Sequence, residues 1–207
     1  MSGDSLHIVH TEASNGWGGQ EIRILTEAQG MRARGHRITL LASPTAQIFP
    51  AAKARGIPVE AMPFEKKSLR GLWAMRRWLK QNTCDVINTH SSTDSWLVAL
   101  AQIGLNRQVP VVRTRHVSVK AANNWGTRWL YGKACSQVVT TGERLRVELM
   151  NGLALAPERV HGSINILWIR TAMTVEECAT RYLADLQAAA TEIVESLRTH
   201  PKRQPAR

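Results

Sequence analysis

Residues 6–21 read Leu6-His7-Ile8-Val9-His10-Thr11-Glu12-Ala13-Ser14-Asn15-Gly16-Trp17-Gly18-Gly19-Gln20-Glu21. A short apolar run over residues 6–10 predicts a strand, and the glycines predict a loop. The segment that follows, with Ile22, Leu25, Ala28 and Ala33 facing inward and Gly35 at its end, predicts a helix. The alternation is sustained along the chain. Strands are expected at residues 38–42, 57–62, 85–89, 110–114, 137–141 and 159–164. Helices are expected at 46–54, 68–81, 94–103 and 125–134. One more runs from a Thr141 cap to about Met150, with Gly152 just beyond its end. On the third helix Leu69, Leu72, Met75 and Leu79 form one stripe. Strands alternating with helices predict an α/β protein with a parallel sheet flanked by helices over residues 1–164.

After Ile164 the character changes. Residues 165–171 read as irregular. Val175, Cys178, Ala179, Tyr182, Leu186, Ala189, Ile193 and Leu197 then mark one long amphipathic helix, with Thr174 and Glu177 spaced as a capping box, and the chain from Pro201 reads as a frayed tail. The expected organisation is an α/β body at 1–164 and a divergent region at 165–207.

The chain has 207 residues, 43% of them hydrophobic and 21% charged. A chain of this size buries roughly 70% of the surface its unfolded form exposes, which excludes low-complexity, collagen-like and natively disordered classes. Lys and Arg exceed Asp and Glu by 27 to 16, a net charge of +11. An anionic partner or surface is the expectation. Residues 166–207 hold six Lys and Arg against five Asp and Glu, so nearly all of the excess lies on the body. Cys84, Cys135 and Cys178 have no metal-ligand spacing, which predicts buried thiols in a reducing cytoplasm and no metal site. Met1-Ser2-Gly3-Asp4 carries no basic or apolar leader, and no apolar stretch is long enough to span a bilayer.

In an open parallel sheet, ligands bind beyond the carboxyl ends of the strands. The residues there are 16–21, Ser43, 90–94, 113–118 and 140–143, a set rich in Gly, His, Arg and hydroxyls that suits a polyhydroxy or phosphorylated ligand. A dinucleotide fingerprint is disfavoured, because Glu21 stands at the third glycine position and the second strand ends in Ala42-Ser43 without an acidic residue. Gly18-Gly19 still allows close backbone approach, and N–H groups at a helix start attract phosphate or a hydroxyl. A serine nucleophile is disfavoured too, since Ser91, Ser92 and Ser95 follow a strand without a nucleophile elbow.

These residues resemble a known family. Ile8-Val9-His10 followed by Gly18-Gly19-Gln20-Glu21, Arg34-Gly35-His36 before Ile38-Thr39-Leu40, and Asp85-Val86-Ile87-Asn88-Thr89-His90 resemble the first lobe of a family 4 glycosyltransferase of the GT-B fold. Pro110-Val111-Val112-Arg113-Thr114-Arg115-His116 and Val138-Val139-Thr140-Thr141 are similar to its fifth strand and to the strand before the lobe's last helix. The resemblance spans residues 6–164. It implies a Rossmann-like, acceptor-side lobe of a retaining sugar transferase that uses a nucleotide-sugar as co-substrate, with no further cofactor. It implies that Gly18, Gly19 and Glu21 line the interlobe cleft, that His116 is the catalytic-site histidine touching the transferred sugar, and that His90 contributes to substrate binding. Arg113 or Arg115 would meet an anionic group on a saccharide or lipid-linked acceptor of the cell envelope, such as lipopolysaccharide.

The family continues into a second lobe holding the nucleotide and an E-x7-E pair. Glu176 and Glu177, or Glu192 and Glu195, have neither that spacing nor a preceding strand. The expectation is that the donor lobe is missing, through a deletion, a frameshifted tail or an incomplete gene model, and that the chain alone is weak or inactive. The alternative is a non-catalytic module that binds an anionic glycan or a membrane surface.

Two basic clusters carry tryptophan. Lys66, Lys67, Arg70, Arg76, Arg77 and Lys80 surround Trp73 and Trp78, a combination that suits an anionic membrane and a peripheral location on the cytoplasmic face. Arg113, Arg115, Lys120 and Arg128 interleave with Trp125 and Trp129, where indoles would stack on sugars. Without an RNP, KH or helix-turn-helix signature, nucleic acid is the disfavoured partner.

Overall fold

All but the first residue of β1 (His7–Glu12) and of β2 (Arg37–Ala42) are buried. Strands buried on both faces belong in the middle of a parallel sheet covered by helices. The computed structural model describes residues 5–116, 120–162 and 174–199. Strands β3 (Val59–Ala61), β4 (Val86–Thr89), β5 (Val111–Arg115), β6 (Gln137–Thr140) and β7 (Val160–His161) complete a seven-stranded sheet in the order β3-β2-β1-β4-β5-β6-β7. Every pairing is parallel. The connecting helices are α1 (Gly19–Ala33), α2 (Ile48–Ala54), α3 (Leu69–Gln81), α4 (Ser92–Gln102), α5 (Trp125–Trp129) and α6 (Glu143–Leu153). α5 runs on into a π turn at Leu130–Ala134.

Two apolar cores form, one on each face of the sheet. Ile8, Ile38 and Leu40 pack with Ile24, Leu25 and Ala28 of α1 and Ile48 and Ala52 of α2. Val9, Leu41, Ile87, Val111 and Val138 pack with Met75 and Trp78 of α3, Leu97 and Val98 of α4, and Leu145 and Leu149 of α6. Because strand side chains alternate, this division fixes which face each later residue of a strand serves.

The chain divides into two compact units, Met1–Gly162 and Ser163–Arg207. In the second, α7 (Val175–Thr199) opens with a reciprocal capping box. The Thr174 N–H donates to Glu177 Oε2 at 2.7 Å and the Glu177 N–H to Thr174 Oγ1 at 3.2 Å. Of the expected stripe, Cys178 is buried and Tyr182, Leu186 and Ala189 are half-buried. The side chains of Val175, Ile193 and Leu197, the stretch 165–171, the tail from Pro201, and Ser118 of the strand-end set lie outside the described residues. No described helix is long and apolar enough to cross a membrane.

Three local expectations are corrected. Ile22 and Ala33 point outward, and the inner face of α1 is Glu21, Ile24, Leu25 and Ala28. On α3 the buried stripe is Gly71, Met75 and Trp78, while Leu69 is 74% exposed. The cause is Gly71: a Cβ there would stand 2.8 Å from the Pro63 carbonyl oxygen and 3.1 Å from Leu97 Cδ1, so the helix turns this bare side inward. Finally, Gly152 lies inside α6, and the left-handed position beyond its end is taken by Ala154, at φ 53° and ψ 47°. The left-handed region costs an L-residue roughly 1–2 kcal/mol, part of which glycine's looser unfolded state cancels. Ala154→Gly is therefore expected to stabilise the fold by about 0.5–1 kcal/mol, read from urea unfolding midpoints.

Candidate functional site

Strand β1 lies between β2 and β4, and the chain leaves it toward β2 on one side and returns to β4 on the other. That reversal opens a crevice at the carboxyl ends of β1 and β4. Register places His10 beside Asn88, and Asn88 beside Val112. His90 lies two residues beyond Asn88 and His116 four beyond Val112, so His10, His90 and His116 share one face at neighbouring strand ends. His10 Nδ1 lies 2.9 Å from His90 Nε2, and His90 Nδ1 lies 3.0 Å from His116 Nε2. The first pair of rings is stacked at 5.2 Å and 10°, and the second is tilted at 5.2 Å and 33°. His10 and His90 are buried and His116 is half-buried. Burial holds His10 and His116 down to about 4. His90 lies well below its ordinary value, through burial first and then through its two histidine neighbours, Arg113 and Arg23. The row is neutral at pH 7.

Thr11 and Thr89 point to the opposite face, and there Asp94 ties the crevice together. Its Oδ2 accepts from Thr11 Oγ1 at 2.6 Å and from the His90 N–H at 2.9 Å. Its Oδ1 accepts from the Ser91 N–H at 2.8 Å and from the Ser91 hydroxyl. Ser91 caps α4 with Asp94 at the third helical position, so one carboxylate closes the capping box and joins β1 to β4. Arg113 also lies on this face. It donates to the Ser91 carbonyl and, at 2.6 Å, to Ser95 Oγ.

Glu12, the last residue of β1, is fully buried and accepts from the Ser14 N–H at 2.7 Å and from the Gln20 amide. Burial pushes its carboxyl up to about 8, with Asp94 and Glu21 adding to the shift and the two donors opposing it. Beyond it lies the glycine loop. Gly18 caps α1, and its N–H donates to Glu21 Oε2 at 2.8 Å. Apart from its chain neighbours and its own helix's backbone, no described residue comes within 4 Å of where a Cβ on Gly19 would stand, so the described packing makes no demand for glycine there.

The expected site residues therefore separate. Gly18 and Gly19 follow β1 and His116 follows β5 at the carboxyl edge, with Gly19 exposed and the other two half-buried. His90 is the buried middle of the row, and Glu21 is a buried cap on α1, so neither stands on the open surface. Arg113 and Arg115 are corrected: they are 4% and 8% exposed, because the alternation that aims His116 at the crevice aims both guanidiniums at the other face. Arg115 donates to the Tyr131 hydroxyl at 3.0 Å. Their expected partner Trp129 stacks on Trp96 at 5.8 Å, whereas Trp125 is 82% exposed.

On α3, Trp78 is corrected from surface to core, with its indole N–H donating to Glu60 Oε2 at 2.8 Å. Arg76 is corrected too, being half-buried and bonded to backbone instead of free at the surface. It donates to the carbonyls of Ala101 at 2.9 Å and Ile103 at 2.6 Å, which closes the end of α4. Lys66, Lys67, Arg70, Trp73 and Arg77 remain exposed. The sequence offers no role for His10 and Glu12, and it places Asp94 only in the strand-end set 90–94 and not as the buried tie between β1 and β4. The signals were present: polar residues ending an otherwise apolar strand, and the Ser91-x-x-Asp94 spacing.

A doubly wound parallel sheet with a glycine loop and strand-end histidines at its reversal point defines a Rossmann-like lobe of the GT-B kind. The model of Glycosyltransferase Family 4 matches residues 17–161, and the chain belongs to that family. Among solved structures the chain is similar to a glycosyltransferase from Rickettsia africae ESF-5, with TM-score 0.63 and 14% identity over 86% of this chain and 50% of that one. It is similar to Anabaena HepE in complex with UDP-glucose, with TM-score 0.60 and 15% identity over 84% and 48%. It is also similar to the lipopolysaccharide outer core galactosyltransferase WaaB, with TM-score 0.61 and 12% identity over 80% and 47%. The likeness is one of fold, and the chain spans about half the length of these structures. A comparison with curated proteins gave no match.

The buried groups set opposite pH limbs. Native Glu12 keeps its proton to about pH 8 where the unfolded chain releases it near 4.5, so its contribution is complete below 4.5 and is lost as pH rises through 8. The histidines act in the other sense, because His10 and His116 resist protonation to about 4 against an ordinary 6.5. Their contribution is lost as pH falls from 6.5 through 4. Glu12→Gln should remove a downward slope of up to about 1.4 kcal/mol per pH unit between 4.5 and 8, flattening the alkaline limb and steepening the acid limb where the histidine window overlaps it, in urea unfolding measured across that range.

Proposed function

We propose that this chain is the acceptor-side half of a glycosyltransferase, taking a hexosyl group from a nucleotide-sugar to a saccharide or lipid-linked acceptor of the cell envelope. The observation that supports this reading is that the glycine loop after β1 and the half-buried His116 after β5 stand at the same carboxyl edge of the sheet, in a chain of this family. HepE, solved with UDP-glucose, and WaaB, a lipopolysaccharide galactosyltransferase, support the ligand class. The N-terminus of α1 offers N–H groups and the positive end of a helix dipole to a diphosphate or hydroxyl. His116 offers a neutral ring nitrogen to a sugar oxygen. Rate enhancement would come from positioning the sugar and stabilising the departing diphosphate, and the second task belongs to a donor lobe.

The alternative, a module that docks on an anionic membrane without catalysis, rests on α3. Leu69 and Trp73 are 74% and 66% exposed, and Lys66, Lys67, Arg70, Arg77 and Lys80 stand exposed around them. Both readings place the chain at the cytoplasmic face of a membrane, and they part on nucleotide binding.

Two measurements follow. Calorimetry of the purified chain with UDP-sugars is expected to show weak, saturable binding without robust turnover. Gly19→Ala and His116→Ala should each weaken that binding about tenfold or more, while unfolding midpoints for Gly19→Ala stay within about 0.5 kcal/mol. Absence of nucleotide affinity alongside salt-sensitive liposome binding would leave the docking module. Cosedimentation with anionic vesicles should fall about tenfold in the Trp73→Ala/Arg77→Ala double variant, each basic residue contributing about 1 kcal/mol. Unchanged sedimentation would remove α3 as the docking face.

A further inference from the structure

Each of the two contacts in the histidine row needs one proton, and the middle ring, being neutral, owns one. If His90 carries it on Nδ1, it donates to His116 Nε2 and must accept at Nε2 from an N–H on His10 Nδ1. If His90 carries it on Nε2, both bonds run the other way. The row thus has two states of opposite polarity, and they differ at its ends. In the first, His10 Nε2 is a bare lone pair and His116 Nδ1 carries hydrogen. In the second, His10 Nε2 carries hydrogen and His116 Nδ1 is the lone pair.

The inner end decides between them. His10 Nε2 is buried and has no hydrogen-bond partner among the described residues. Buried backbone N–H groups are orphaned more rarely than carbonyls are under-satisfied, and a bare ring nitrogen is the counterpart of the latter. We propose that the row is polarised from His10 through His90 to His116, so that His116 presents Nδ1–H toward the crevice and His10 and His90 act as positioning residues that fix this tautomer.

The consequence for the crevice is specific. His116 offers a hydrogen-bond donor there, suited to a hydroxyl lone pair or a phosphate oxygen. It is closed to general-base chemistry, because its Nδ1 already bears hydrogen and its Nε2 is taken by His90. The row is also no proton conduit: among the described residues no donor meets His10 Nε2, so none of them can replace a proton lost from His116. Arg23 of α1 and Arg113 of β5 are the cations acting on both His90 and His116, and each disfavours protonation of the row. Arg23 is itself paired with Glu27 at 2.6 Å. Which ligand oxygen meets His116 rests on the proposed function, whereas the polarity does not.

The test is a long-range proton–nitrogen correlation spectrum of the chain with 15N-labelled histidine, recorded without ligand at pH 7. All three rings are expected as the Nδ1–H tautomer, the reverse of the preference of free histidine. An Nε2–H tautomer at His116 in the wild-type chain overturns the proposal without any variant. His10→Phe removes the first donor, and His90 and His116 should then shift from one tautomer to a mixture. His10→Gln, whose amide can donate to His90 Nε2, should restore the Nδ1–H signature at both. If His116 keeps its tautomer in His10→Phe, the row does not set it, and the positioning role falls. None of these outcomes depends on nucleotide-sugar binding, so failure of the functional reading leaves this result legible.

Discussion

Asp94 is the interaction on which the rest of the crevice depends. A carboxylate with no exposed surface is costly unless its lone pairs are filled, and here four donors fill them: the Thr11 hydroxyl, the His90 N–H, and the Ser91 N–H and hydroxyl. Those donors come from β1, from the end of β4 and from the first turn of α4. The same bonds that satisfy the charge therefore hold the two sides of the sheet's reversal point at a fixed separation. They also fix the backbone of His90, which carries the middle ring of the row. Removing the carboxylate would orphan these donors together, because the network is shared and its contributions are not additive.

The second constraint is alternation. Along β5, Arg113 and Arg115 serve one face, and Thr114 and His116 the other. Thr114 donates to Asn88 Oδ1 at 2.8 Å on the histidine side, while Arg113 lies across the sheet with its guanidinium 6.0 Å from the centre of the Tyr131 ring. A one-residue slip would exchange these roles and bury cations where the row now lies. The paired polar faces at the carboxyl edge of an apolar sheet are thus specified as tightly as its core.

Much of this was legible in the sequence. The order of strands and helices followed from runs of apolar residues, the cap of α7 from Thr174 and Glu177, and the family from motif order. What was not legible lay in three dimensions. The rotation of α3 depended on Gly71 meeting the Pro63 carbonyl, a contact between segments that no single-helix stripe reveals, and it moved Trp78 inward and Leu69 outward. Arg113 and Arg115 looked like ligand groups because a basic residue after a strand usually faces water. Strand alternation with His116 places both on the opposite face, whatever their charge. His10 gained a role only once β4 was placed beside β1.

The charge of the chain is distributed to match. The excess of +11 sits at exposed side chains such as Lys66, Lys67, Arg70 and Arg77, whereas the crevice is built from groups that burial keeps uncharged, the histidine row and Glu12, and from one carboxylate that its donors satisfy. Charges attract over about 8–10 Å at ordinary ionic strength and have no direction, so they serve approach to an anionic surface. Neutral donors and acceptors act only at contact and along fixed axes, so they serve discrimination among oxygens that differ in position and not in charge. A sugar presents many such oxygens. With most of the cations at the surface and Arg113 and Arg115 buried on the other face of the sheet, the neutral groups at the strand ends would read a substrate that the surface charge brings near.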